Sequence, residues 1–286
     1  ANAASSNDLT IQYCMPYPRH ALQSAELPSV TQIRASDDYV PGSTEGEDQW
    51  RIGASSILAH SLALAPSKDN FWTSAKEVNG SRSQYTDNSF VRQAAVSTLS
   101  TGPVTPGDGI GFSNVPLIMR SCRSDGLILG PNRPATVLDE AIGFRATGSS
   151  GPDGEVTVTY STIGDIRVDT ILSAILSAPF SLEPSMLRVD PEVPRKGFSS
   201  SSATFWGVSV NATTLSEDTI RVQPFSDSSP LPLDQSMDKD THQMWHVVPA
   251  TAYGGFLGEL TSKWVPLSGK RFTSLTADDS AKTITA

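Results

Sequence analysis

Apolar and polar residues alternate in the manner of a strand in LTIQYCM (9–15) and VTQIRAS (30–36), which predicts two short strands early in the chain. The spacing then changes. QWRIGASSILAHSLAL (49–64) places Trp50, Ile57, Leu58 and Leu62 near one face of a helix, and NSFVRQAAVSTLS (88–100) reads as a second. VPLIMRSC (115–122) follows as another helix or a buried segment. Strands alternating with helices predict βα units around a parallel sheet. After the Gly/Ser/Pro/Asp stretch ATGSSGPDGE (146–155) the pattern changes again: EVTVTY (155–160), PFSLEPSML (179–187), ATFWGVSV (203–210), TIRVQPF (219–225), HQMWHVVPA (242–250) and KRFTSLT (270–276) all read as strands. Many short strands with turn residues between them predict an antiparallel sandwich or roll. The expected fold class is therefore α/β plus all-β, with a first domain over 1–145 and an antiparallel β-sandwich over 146–286. No internal repeat is visible.

Composition narrows the function. At 286 residues and 38% hydrophobic content the chain can build real cores. With 21 basic against 30 acidic residues, a net charge of −9 and no Lys/Arg cluster, it lacks the means to neutralise a row of phosphates, which argues against nucleic acid as a partner. No run approaches the ~18 apolar residues that cross a bilayer, and ANAASSNDLT has neither the basic start nor the apolar core of a signal peptide. Cys14 and Cys122 lack metal-type spacing and are either buried thiols or one disulfide. His20, His60, His242 and His246 include one i, i+4 pair, but in a strand those two lie too far apart for one ion, so neither metal nor cofactor is expected. The sequons at Asn79 and Asn211 tilt the expectation towards a secreted glycoprotein.

One stretch carries candidate chemistry. TQIRASDDYVPG (31–42) ends a strand on two adjacent acids, Asp37 and Asp38, before a Pro-Gly turn. Such acids commonly satisfy backbone groups leaving a sheet. In sheets followed by helical crossovers, however, reactive groups sit at the carboxyl ends of strands, and these two acids occupy that place.

Four stretches in order, IQYCM, QIRASDDYVPG, LALAPSKDNFWTS and STGPVTPGDGIGFSNVPLIMRSCRSDGLILGPNRPATVLD, resemble the closing part of the catalytic barrel of raffinose synthases and plant alkaline α-galactosidases, in glycoside hydrolase family 36. In the last block Gly102, Pro103, Asp108, Gly111, Asp125, Gly126, Leu129, Arg133 and Pro134 fall in register together. The resemblance covers roughly residues 9–140, with a weaker echo in FLGELTSKWVPLSGKRF (256–272) of the β-domain these enzymes carry. It implies the C-terminal half of a (β/α)8 barrel followed by that β-domain. It also implies a retaining glycosidase or transglycosylase working with two carboxylates about 5 to 5.5 Å apart.

By the resemblance, Asp37 or Asp38 is the general acid/base, and Arg34, Asp69, Trp72, Gly102 and Asp108 belong to substrate binding. The nucleophile sits in a Lys-Val-Asp-like motif on an earlier strand, and no Lys-x-Asp precedes residue 11 here. A preceding polypeptide of the same precursor is therefore the expected partner, completing the barrel and supplying the second carboxylate, with an oligosaccharide or glycan as ligand. The departures from the family pattern, Ser67 and Lys68 in place of an acid and a Trp, leave open a non-catalytic carbohydrate-binding or structural glycoprotein. An unrelated α/β plus β-sandwich protein is the third reading.

Overall fold

The computed structural model describes residues 2–42, 49–77, 83–187, 193–197, 204–211, 220–236 and 241–286. The chain divides into two compact units, Ala1–Ser121 with Arg133–Thr136, and Cys122–Asn132 with Val137–Ala286. It is a mixed α/β protein in which antiparallel strands predominate and helices are few and short.

Unit 1 opens with α1 (Asn2–Ser6), β1 (Ile11–Tyr13), α2 (Pro18–Gln23), β2 (Val30–Arg34), α3 (Ser55–Ser61) and β3 (Ala65–Ser67), followed by α4 (Phe90–Leu99) and α5 (Val115–Ile118). The three strands form a parallel sheet in the order β1-β2-β3, with α2 and α3 as crossovers. The helix-covered face is apolar: Val30, Ile33 and Leu64 pack with Ala21 of α2 and Ala59 of α3. A register shift after Ile11 allows both Val30 and Ile33 to reach this core. Pro66 has no N–H to donate, and β3 is an edge strand, where that absence costs least. The chain at Gly102 runs so close to β3 that a Cβ there would lie 2.3 Å from the Pro66 carbonyl oxygen.

Unit 2 contains β4 (Thr136–Val137, which begins on the last residue of unit 1), α6 (Asp139–Thr147), β5 (Glu155–Ile163), β6 (Ile166–Ala174), β7 (Phe180–Leu182), β8 (Thr204–Asn211), β9 (Arg221–Phe225), β10 (Leu231–Leu233), β11 (Gln243–Thr251), β12 (Gly254–Gly255), β13 (Thr276–Asp278) and β14 (Thr283–Thr285). Its main sheet runs β4-β5-β6-β11-β8-β9, with β12 added to β11, and the described pairings from β5 onward are antiparallel. Residues of one face, among them Val168, Val208 and Val248, pack with Leu260, Leu267 and Leu275 of the C-terminal segment. Towards the other face lies the β7–β10 ribbon: a Cβ on Gly207 would fall 2.2 Å from a methyl of Leu231, so only glycine admits this contact as it stands. On β6, Asp169 is fully buried; its Oδ1 accepts Arg167 Nε and Nη2 at 2.9 and 2.6 Å, and its Oδ2 forms an ion pair with Arg195 Nε at 2.8 Å. Arg167 lies 4.2 Å from the centre of the Tyr160 ring and donates to the Val193 carbonyl at 3.1 Å.

Several local expectations change. The helix predicted over 49–64 is the seven-residue α3, and it buries Ser56 and Ala59 while Leu58 is exposed. The small residues face the sheet because the crossover packs close to it. The segment 270–276 is turn until β13 begins at Thr276. Cys14 is exposed, Cys122 is buried, and the two do not form a disulfide. Asn79 lies outside the described residues, and Asn211 ends β8. Among the described residues no helix is long and apolar enough to cross a membrane, and no group of three or more metal-ligating side chains occurs.

Candidate functional site

The carboxyl end of β2 is built from the turn that follows it. Pairing continues one residue past the strand, where the Ala35 N–H donates to the Ser67 carbonyl at 2.8 Å. Ser36 then turns the chain: its hydroxyl accepts the Asp69 N–H at 2.8 Å and donates to the Asp37 carbonyl at 3.0 Å. The Tyr39 N–H donates to Asp69 Oδ2 at 2.7 Å, so the loops leaving β2 and β3 hold each other. Gly42 closes the stretch with a φ of 63°, in a position where a Cβ would lie 2.4 Å from the Thr86 carbonyl oxygen.

Within this frame Arg34 is the hub. Its Nη2 meets Asp38 Oδ1 at 2.6 Å and its Nη1 meets Asp69 Oδ1 at 3.4 Å. Burial opposes the guanidinium charge, but the hydrogen bond to Asp38 and the charge of Asp69 together hold its pKa above the ordinary value. The two carboxylates differ in setting: the Asp38 side chain is 64% exposed, that of Asp69 only 24%.

A polar layer lies beneath. The Tyr39 hydroxyl donates to Asp87 Oδ2 at 2.6 Å and accepts the Trp72 N–H at 3.3 Å. Burial and the adjacent Asp87 raise the Tyr39 pKa, which keeps the phenol a donor. Lys68 is buried, donates to the Asp69 and Asn70 carbonyls at 2.9 and 3.1 Å, and lies 5.2 and 5.1 Å from the Tyr39 and Phe71 ring centres. Desolvation lowers its pKa to about 7.

An open pocket of about 450 Å³ adjoins the turn, with Asp37, Arg34, Arg51, Met15, Tyr17 and Leu58 among its lining residues. Asp37 lines this pocket, and among the described residues its carboxylate has no hydrogen-bonding or ionic partner. A second cleft, of about 370 Å³ in unit 2, is lined by Trp206, Val222, Val248, Tyr253 and neighbouring residues. It carries no carboxylate, amine or imidazole.

The other residues singled out by the sequence are engaged with, or packed within, the protein itself. Trp72 is 3% exposed and offers no free ring face to a sugar. Asp108 engages both oxygens with one residue, accepting the Thr73 N–H at 2.6 Å and the Thr73 hydroxyl at 2.7 Å. Gly102 supplies close approach to β3. Asp69 braces Arg34 and Tyr39. Sequence reasoning missed Met15, Tyr17, Arg51 and Leu58 as pocket residues. The available signal for Met15 and Tyr17 was their place directly after a strand, where loops of βα units face a ligand.

No protein-family model and no curated protein matches the chain. Among solved structures it is similar to a glycoside hydrolase family 5 protein from Bacteroides vulgatus, at 11% identity and a TM-score of 0.41, over 79% of this chain and 52% of that one. A second, described as a glycoside hydrolase, is 10% identical with a TM-score of 0.36, over 79% of this chain and 54% of the other. The chain spans about half the length of each. This is a distant likeness of fold and carries no argument about activity, so the resemblance to family 36 rests on the sequence motifs alone.

Proposed function

We propose that this chain is the acid/base-bearing part of a secreted retaining glycoside hydrolase or transglycosylase of α-galactosidase type. A preceding polypeptide completes its (β/α)8 barrel and supplies the nucleophile, and Asn79 and Asn211 carry glycans. The observation that supports the reading is the uncommitted Asp37 carboxylate in the wall of an open pocket at the carboxyl end of β2, next to an Asp38 held by Arg34. The two acids then divide the work. Asp37 donates its proton to the glycosidic oxygen as the bond to the anomeric carbon breaks and the partner's carboxylate bonds to that carbon. It next takes the proton of the water or acceptor hydroxyl that displaces the carboxylate. Asp38, fixed by the guanidinium, receives sugar hydroxyls as hydrogen-bond donors.

A second reading, a non-catalytic carbohydrate-binding or structural glycoprotein, is favoured by one specific set of observations: Asp69, Asp108 and Trp72, which the resemblance assigns to sugar binding, are engaged or buried within the protein.

The test is release of 4-nitrophenolate from 4-nitrophenyl α-galactoside by the protein together with its preceding polypeptide. Asp37→Asn lowers kcat about 10²- to 10⁴-fold, while Asp38→Asn acts mainly on KM. Rates equal to wild type in both variants would sink the catalytic assignment, and saturable sugar binding without turnover in the wild type establishes the second reading.

A further inference from the structure

The walls of the Asp37 pocket divide by element. The loop after β1 contributes Met15 and Tyr17, and α3 contributes Leu58. Met15 is 66% exposed, Tyr17 65% and Leu58 44%, so three large apolar side chains stand open to solvent around one cavity. Isolated apolar residues on a surface need no explanation, but a group rimming a pocket marks a ligand with apolar surface of its own.

The polar wall comes from the exit of β2, from Ser55 and from Arg51, whose guanidinium lies 5.5 Å from the centre of the Trp50 ring, and much of it is engaged within the protein. Ser55 Oγ donates to the Ala35 and Ile52 carbonyls at 2.7 and 3.1 Å, Ser36 Oγ is engaged with Asp37 and Asp69, and the Arg34 guanidinium is held by Asp38 and Asp69. A second sugar ring seated against the apolar walls brings several hydroxyls that need partners, and each one buried without a partner costs on the order of 1–3 kcal/mol. An aryl or alkyl group has no such requirement and gains from covering Met15, Tyr17 and Leu58.

We infer that the leaving-group side of this pocket takes an apolar aglycone, so that the substrates are aryl or alkyl glycosides and not oligosaccharides extended through this wall. The inference rests on the glycosidase reading for the sugar end and on the apolar walls for the other. Asp37 lines the same pocket as the apolar walls, as it must if one carboxylate is to protonate the glycosidic oxygen that joins sugar and aglycone.

The experiment is calorimetric titration at low temperature with three probes, 4-nitrophenyl α-galactoside, methyl α-galactoside and 4-nitrophenol, on wild type, Leu58→Ser and Met15→Ser. Both substitutions are at exposed positions, so the fold survives them. The aryl galactoside binds roughly tenfold or more tighter than the methyl galactoside to wild type, in line with burying a ring-sized apolar surface. Each substitution reduces that advantage to about threefold or less and leaves the methyl galactoside unchanged. Equal affinity for the two galactosides, insensitive to both substitutions, overturns the inference while leaving the glycosidase reading intact. Binding of 4-nitrophenol that is lost in Leu58→Ser, with no gain in affinity from an attached galactose, supports the apolar wall and removes the glycosidase reading instead.

Discussion

Replacing Lys68 with methionine tests the physical account of the layer under the site. Its amine is fully desolvated and its pKa falls from 10.5 to about 7. Because the folded value lies below the unfolded one, the unfolded chain holds an extra proton between pH 7 and 10.5. Stability of the wild type therefore rises across that window, and below pH 7 the full cost of burying the group is present. At one pKa unit per 1.36 kcal/mol, that cost is roughly 5 kcal/mol at pH 6 and vanishes near pH 10.5. Methionine removes the titration and fills similar volume, but it leaves the Asp69 and Asn70 carbonyls without their donor, at about 1 kcal/mol or more each. The net effect at pH 6 is thus a gain of only about 2–3 kcal/mol or less. The dependence on pH is sharper: the difference between Lys68→Met and wild type shifts by roughly 4 kcal/mol between pH 7 and pH 10, against the variant. Urea unfolding followed by 19F NMR of 5-fluorotryptophan at Trp50 and Trp72 reads unit 1 separately. Parallel pH profiles of the two proteins, within about 1 kcal/mol, would refute the claim that the buried amine is the source.

Three further outcomes follow from other buried groups. His246 is fully buried, within 3.1 Å of the Thr170 hydroxyl, and desolvation lowers its pKa to about 4. Unit 2 therefore loses up to about 3 kcal/mol as pH falls from 6.5 to 4, and His246→Phe flattens that part of the acid-unfolding profile. Asp169→Ala leaves the Arg167 and Arg195 guanidinium groups without their shared anion and costs about 3–5 kcal/mol, seen as a drop in the Tm of unit 2 of about 10 °C. Gly102→Ala forces a methyl group onto the Pro66 carbonyl and costs about 1–3 kcal/mol in urea unfolding of unit 1, with no change in unit 2.

The strand endings that carry the candidate acids were legible in TQIRASDDYVPG, because the alternation of Ile33 with polar neighbours and the Ser-Asp-Asp turn are both local signals. The contacts of Asp69 were not legible. Its resemblance to a sugar-binding acid is a matter of order along the chain, whereas its oxygens meet Tyr39 and Arg34, some thirty residues earlier, only because β2 and β3 lie side by side. Strand β6 went unread for a related reason. IRVDTILSA alternates apolar and polar residues as a half-exposed strand does, and nothing local in it reveals that all nine residues, Arg167 and Asp169 included, are buried.

By itself the sequence determined the period of several elements, the change from helical to strand patterning near residue 150, and the turn that presents Asp37 and Asp38. These are consequences of side-chain spacing and turn chemistry within a few residues. Only the tertiary structure decided which charges are buried and which acids remain uncommitted, because desolvation and pairing depend on neighbours far apart in the chain. It made Lys68 and Arg167 interior residues, held Asp38 with Arg34, and left Asp37 lining an open pocket.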